Sequence, residues 1–365
     1  MIIQDITSLL EKIAPASLQE NYDNAGLITG NANWECAGII TALDATEEVV
    51  QEAIEKKCNL IVAHHPIIFS GLKKITGKNY VEKTIIAAIK NDIAIYAIHT
   101  NLDNVLQGVN GKIADKLGLI NRKTLQPKKD ILNKLFTFVP VDFAEKVRNA
   151  IFAAGGGQIS NYTECSFNTA GSGTFKAGEG TKPFIGKIGE RHTENEIKIE
   201  VISPSWLEQK IYNAMITAHP YEEVAYDIVA LGNSSNSVGS GLIGELPESL
   251  DEMTFLKNIK ENFNLSVIKH TSLTGKKVKK VALCGGAGSF LIGTAVAAGA
   301  DFYISSDIKY HEFFDANGKL VIADIGHYES EQFTTDLLFD ILREKFPTFA
   351  VLKTGVKTNP VQYFL

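Results

Sequence analysis

Residues 59–71 read NLIVAHHPIIFSG. An unbroken apolar run ends in two adjacent histidines, His64 and His65, with Pro66 behind them. A strand exposed on one face alternates apolar and polar residues, so a run without alternation predicts a strand covered on both faces. The flanking segments continue the pattern. CAGIITALD (36–44) predicts a strand, and ATEEVVQEAIEKK (45–57) a helix with Thr46 as N-cap and lysine in its last turn. VEKTIIAAIKN (81–91) predicts a helix, DIAIYAIHT (92–100) a buried strand and NGKIADKLGL (110–119) a helix. At the start of the chain, QDITSLLEKI (4–13) places Ile6, Leu9, Leu10 and Ile13 on one helical face. Buried strands separated by helices specify largely parallel sheets flanked by helices.

The last third repeats this idiom. KKVALCGGAGSF (279–290) reads as strand, glycine turn and helix start, ADFYISSD (300–307) as a strand, and IKYHEFFDA (308–316) as a helix. KLVIADIGH (319–327) predicts a strand, YESEQFTTDLLFDILREKF (328–346) one long helix, and PVQYFL (360–365) a closing strand. The middle differs. Residues 132–167 and 196–231 each read strand, helix, strand, and two such halves make a ferredoxin-like α+β unit. The Gly-rich stretch 168–195 between them predicts a long hairpin or mobile loop, and GNSSNSVGSG (232–241) a linker. The expected organisation is a discontinuous α/β core, residues 1–127 and 233–365, with a module inserted at 128–232.

The totals narrow the function classes. The chain has 365 residues, 45% of them hydrophobic, with a net charge of −6. Mean hydropathy is near zero, and no apolar run approaches the roughly 20 residues of a membrane helix. No basic stripe supports phosphate-driven nucleic-acid binding; GKKVKK (275–280) stands alone. The first residues lack the basic start of a secretory signal, and four scattered cysteines without a CxxC pair suit free thiols in a reducing cytoplasm.

In open α/β sheets, ligands bind beyond the carboxyl ends of the strands. Those ends carry His64 and His65, then His99 and Asp103, then Asp307 and His311, then His327 and Glu331. A single strand-end histidine is usually structural, and a lone i,i+4 His/Glu pair is usually a solvated helix face. Convergence across four strands is what points to a metal. Imidazole with carboxylate suits Zn, Fe, Mn or Co. Three histidines and two carboxylates exceed the needs of one catalytic zinc and suit two ions sharing a bridging carboxylate or water. The glycines of CGGAGSF match neither nucleotide-binding loop pattern, which leaves a nicotinamide enzyme unsupported.

The stretches YDNAGLITG (22–30), AHHPIIFSGLKKI (63–75), AIHTNLDNVLQGVN (97–110), ALCGGAGSF (282–290), SSDIKYHEFFDA (305–316) and ADIGHYESEQF (323–333) resemble, in order, the NGG-interacting-factor-three-like family, known also as GTP cyclohydrolase 1 type 2 homologues. The resemblance implies a two-metal site with His64, His65, Asp103, His327 and Glu331 as ligands. It implies a homo-oligomeric ring, often a hexamer, and a PII/CutA-like inserted module closed by HPYEEVAYDIVAL (219–231). It suggests hydrolysis of a purine nucleotide such as GTP; the alternative is a non-enzymatic metal-binding regulatory or adaptor ring. Two departures stand out: Tyr22 where the family often has Trp, and Ser306 where it often has Gly. Glu331 is expected to bridge the ions. His99, Asp307 and His311 are catalytic candidates whose simpler role is support of the ligands. The segment GSGTFKAGEGTKPF (171–184) suggests a gating or structural role for the module rather than sensing. Pro66 blocks continuation of the strand, which predicts that His64 and His65 splay onto different ions.

Overall fold

The computed structural model describes residues 1–364 and divides into two compact units, residues 1–126 with 237–365, and residues 127–236. In the first unit the leading strands are β1 (Gly26–Thr29), β2 (Ile39–Asp44), β3 (Leu60–His65), β4 (Ala94–Ala97) and β5 (Ile120–Pro127). Between them run helices α1 (Ile3–Ile13), α2 (Glu47–Glu55), α3 (Tyr80–Lys90), α4 (Thr100–Asp103) and α5 (Val109–Lys116). Thr46 caps α2 by accepting from the Val49 amide, as expected, while Lys56 is its C-cap rather than part of its last turn.

The second unit contributes β6 (Leu132–Pro140), α6 (Ala144–Ala153), β7 (Phe167–Lys176), β8 (Arg191–Pro204), α7 (Glu208–Ala218) and β9 (Tyr226–Leu231). Its sheet is antiparallel in the order β7-β8-β6-β9. Leu135, Val139, Ile199 and Val201 on one face of that sheet pack against Val147 and Ile151 of α6 and Ile211 and Met215 of α7. The Gly-rich stretch forms the β7–β8 hairpin and the loop that joins its strands.

The chain then returns to the first unit with β10 (Gly239–Asp251), α8 (Glu252–Asn262), β11 (Lys269–His270), β12 (Lys277–Ala287), α9 (Ile292–Ala297), β13 (Phe302–Ser306), β14 (Val321–Asp324), α10 (His327–Glu331), α11 (Thr334–Lys345) and β15 (Val351–Lys353). One sheet has the order β1-β4-β3-β2-β15, parallel from β4 to β15 with β1 antiparallel at its edge. The other has the order β11-β14-β13-β12-β10-β5, with β12, β13 and β14 parallel. Each sheet is covered on both faces. Leu60, Val62 and Tyr96 share one core with Leu283, Phe302 and Ile304 and with Ile6, Phe255 and Leu338 from the helices. Ile40, Ala42 and Ile61 pack on the other side against Val49, Val50 and Ala88. Ala282, Tyr303 and Ile322 pack against Leu291, Ile292 and Ala295. This is why the strands carry no apolar/polar alternation.

Four expectations change. The strand β12 runs through Gly285 and Gly286, so these glycines are not yet the turn. Residues 310–316 form a 3-10 helix. The long helix after β14 breaks between Glu331 and Thr334 into α10 and α11. Residues 360–364 form no strand, and Leu365 lies outside the described residues.

Candidate metal centre

The strand ends converge as their spacing suggested. Strand β3 runs through both His64 and His65, and His65 sits in register opposite Asp44 at the end of β2. Past β4, His99 is the N-cap of the single-turn helix α4, which ends on Asp103. Past β13 lies Asp307, at a positive φ of 55°. Past β14, Gly326 at φ 92° admits the chain to α10, which begins with His327 and ends with Glu331. Four residues apart on a helix, those two share a face.

Each imidazole is held by one nitrogen and offers the other. His64 Nδ1 lies 2.8 Å from the Ile98 carbonyl oxygen. A carbonyl only accepts, so Nδ1 carries the proton and Nε2 presents a lone pair. His65 Nδ1 is 2.7 Å from Asp44 Oδ1, His327 Nδ1 is 2.6 Å from Asp307 Oδ2, and His99 Nδ1 is 2.8 Å from Asp23 Oδ1. A carboxylate behind the imidazole is the arrangement that orients metal-binding histidines.

Glu331 is the hub. It is 3% exposed, with Oε2 at 3.0 Å from His65 Nε2 and 3.1 Å from His327 Nε2. Its Oε1 is 3.9 Å from His64 Nε2, which lies 3.6 Å from Asp103 Oδ1. Both His64 Nε2 and Asp103 Oδ1 are buried without a hydrogen-bond partner. A buried lone pair facing two carboxylates is costly unless a cation stands between them. The residues therefore fit a metal. Ligand atoms within 4.8 Å of one another form three groups: His64, Asp103 and Glu331; His65, His327 and Glu331; and His64, His65 and His99. Glu331 belongs to the first two.

The electrostatics follow from burial and partners. Burial, only partly offset by Glu331, lowers His64 to about 4 and keeps it neutral. Burial also opposes the charge on His65, but Asp44 and Glu331 outweigh it and raise the ring to about 10. On His327, Glu331 and Asp307 likewise overcome burial and raise it to about 9. Burial pushes Glu331 upward, yet its close contacts with His327 and His65 hold it well below the usual carboxylate range. Asp103, half-buried with desolvation and the Glu331 charge acting on it, is raised well above that range. Without metal, protons on His65 and His327 stand where a cation would, and they leave when one binds.

Three contributors were not read from the sequence. Asp44 ends the CAGIITALD strand, so the strand-end criterion applied to β2 would have found it. Asp23 accepts from His99 and from the Thr100 amide at 3.0 Å, and no periodicity marks it. Gly286, at φ 64°, leaves room for Glu331: a Cβ there would collide with Glu331 Oε1. His311 is exposed against Tyr310 and Phe314 and joins none of the three groups. A cleft of about 430 Å³ opens beside the centre, lined by Asp44, His65, Asp307, His327, Lys269 and Tyr363 among others. No helix among the described residues is long and apolar enough to cross a membrane.

Comparison with known proteins agrees with the fold. The family model described as Duf34/NIF3 (NGG1p interacting factor 3) matches residues 1–360. A protein of Halalkalibacterium halodurans named GTP cyclohydrolase 1 type 2 homolog is 40% identical over 365 residues, covering 99% of this chain and 98% of its own. A protein of the same name from Bacillus subtilis is 36% identical over 365 residues, with the same coverage of 99% and 98%. The crystal structure of a Bacillus cereus protein related to NIF3 superposes with a TM-score of 0.88 at 38% identity, covering 100% of this chain and 99% of that one.

Proposed function

The chain belongs to the Duf34/NIF3 family, and on that premise we propose that it holds two divalent metal ions and hydrolyses a purine nucleotide such as GTP. The observation that carries the metal reading is the orphaned pair of buried atoms, His64 Nε2 and Asp103 Oδ1, beside a carboxylate shared by two ligand groups. His64, Asp103 and Glu331 would hold one ion, and His65, His327 and Glu331 the other. The donor chemistry suits Zn, Fe, Mn or Co. When bound, such a pair supplies Lewis acidity and a water acidic enough to act as hydroxide at neutral pH. The protein's own groups prepare the rest. Asp44 and Asp307 fix the rings of His65 and His327, so both Nε2 atoms face Glu331. Asp23 fixes His99, whose ring lies edge-on to His64 and His65 at centroid distances of 5.2 and 5.4 Å, and leaves its Nε2 to accept or return a proton. The cleft beside His65 and His327 admits the substrate. The substrate class rests on the names of the relatives.

One observation favours a second reading, a non-enzymatic metal-binding regulator or adaptor. His64 is 0% exposed, as in a closed binding site. Protein reconstituted separately with Zn, Mn, Fe and Co and assayed on GTP and a nucleotide panel separates the two. Two bound ions with no metal-dependent turnover would exclude the hydrolase and retain the binding protein.

Three further points belong to the proposal. The β-α-β-β-α-β order and the sheet order β7-β8-β6-β9 support reading residues 128–232 as a ferredoxin-like module between core halves 1–127 and 233–365. A cytoplasmic setting fits four free cysteines. The family resemblance supports a hexameric ring, which sedimentation equilibrium would test.

A further inference from the structure

The unit at residues 127–236 contains a cavity of about 650 Å³ that is unrelated to the metal centre. Its floor is the sheet face opposite α6 and α7, and the floor is unusual. On β7, Gly171 stands opposite Glu196 and Gly173 opposite Glu194. Cross-strand partners project to the same face, so both glycines lie on the face that carries Glu196. The Glu196 carboxylate fills the space a side chain at Gly173 would take, and the backbone at Gly171 beside it is bare. Phe175, Phe184 and Tyr221 form an aromatic wall, with Phe175 and Phe184 centroids 6.0 and 6.3 Å from that of Tyr221. The loop bearing Phe184 is tied down where the Lys182 amide donates to Glu222 Oε2 at 2.8 Å.

Glu196 is 9% exposed. Its hydrogen-bond partner among the described residues is the Tyr221 hydroxyl, at 2.9 Å from Oε1, and no cation pairs with it there. Lys198, on the same face, is engaged by Glu200 at 2.6 Å. A buried carboxylate without a cation is costly unless a ligand completes it. Cavities of this size that are mostly apolar, with a few convergent polar groups, are typical of small-molecule sites.

We propose that this cavity binds a small planar aromatic molecule with a cationic or paired N–H donor edge, the ring lying over Gly171 and the donor edge meeting Glu196 where its carboxylate covers Gly173. Gly171 makes room for a flat body, Gly173 makes room for the Glu196 carboxylate, the aromatic wall matches the faces of the body, and the carboxylate selects donors over anions. This inference is independent of the metal reading.

The probe is 2-aminobenzimidazole, whose fused ring carries a guanidinium-type edge, with benzoate as the flat anionic control. Isothermal titration calorimetry on the full chain should show one saturable site per chain for the probe and none for benzoate. Glu196→Gln keeps the shape and removes the charge, and should weaken binding roughly tenfold or more. Gly171→Leu is the second variant: a Cβ at Gly171 meets nothing within 4 Å, so the leucine enters the cavity without a clash and should abolish binding. Circular dichroism and metal content should match the wild type in both variants. No saturable binding of the probe, or equal affinity in both variants and the wild type, would overturn the proposal.

Discussion

If Glu331 joins two ions, replacing it must cost more metal than replacing a histidine of either group. His64→Asn keeps a donor for the Ile98 carbonyl but replaces the Nε2 lone pair, which breaks the group of His64, Asp103 and Glu331 and that of His64, His65 and His99 while sparing His65, His327 and Glu331. His327→Gln affects only the group of His65, His327 and Glu331. Glu331→Gln keeps the volume and removes the charge that lies 3.0, 3.1 and 3.9 Å from three ring nitrogens. Elemental analysis after dialysis should find two ions per chain in the wild type, one in each histidine variant and close to none in Glu331→Gln. Linkage sets the energetic scale: a ligand at a hundred times its dissociation constant stabilises the fold by about 2.7 kcal/mol per site. Metal-dependent stabilisation in urea should therefore fall by about half in the histidine variants and nearly vanish in Glu331→Gln. Loss of the same single ion in His64→Asn and His65→Asn would place both rings on one ion and refute the division. Retention of two ions in Glu331→Gln would refute the bridging role.

Four other outcomes are expected. Asp44→Asn and Asp307→Asn each release one ring, and should weaken the ion held by His65 and His327 by about 10–100-fold in chelator competition while sparing the other. Gly286→Ala places a side chain at φ 64° and against Glu331, so it should cost about 1–2 kcal/mol from the backbone alone and also reduce metal content; urea melts and elemental analysis together test this. His219 donates from Nε2 to the Phe138 carbonyl at 3.0 Å and accepts at Nδ1 from the Tyr221 amide at 3.1 Å, and burial lowers its pKa. The unfolded state therefore binds the proton more readily; the stability of residues 127–236 should hold above about pH 6.5 and fall below it, and His219→Gln should flatten that slope when Trp206 fluorescence is followed in a Trp34→Phe background. Finally, replacing residues 129–234 with a short Gly/Ser linker should leave metal stoichiometry unchanged, since no residue of that span enters the three ligand groups.

What the sequence revealed follows from where its signals are local. His64, His65, Asp103, His327 and Glu331 are visible because each follows an apolar run that ends abruptly, and the edge of a parallel sheet gathers such ends. Asp44 is legible as a strand-end carboxylate, but its partner, His65, appears only when β2 and β3 pair in register. Gly286 looked like an ordinary turn residue, because the carboxylate that needs its empty space comes 45 positions later. The break after Glu331 is invisible to periodicity, since Gln332 and Phe333 continue a helical pattern. PVQYFL reads as a strand, but a strand needs an edge to pair with. The tail is instead fixed by side chains, Thr358 to Asp44 and Asn359 to Glu329 at 3.1 Å. His311 met the same local criterion as Asp307 and still points elsewhere, so proximity to a strand end places a residue near the site without turning it inward.

A ligand set spread over His64 to Glu331 with a whole folded unit between its halves would seem entropically expensive, because closing a loop costs more as the loop lengthens. The cost is met inside the insertion. Ser235 donates its amide to the Lys128 carbonyl at 3.0 Å, so the two ends of the inserted unit lie one hydrogen bond apart. Once that unit folds, the core spans a gap no wider than a short turn. Within the core, β3 and β4 supply one half of the centre, and β14 with α10 supplies the other. The halves meet on Glu331, which His65 and His327 hold in its charged form without metal. On the two-ion proposal, the core would therefore fold before a cation arrives, and the cation would replace protons rather than organise a disordered site.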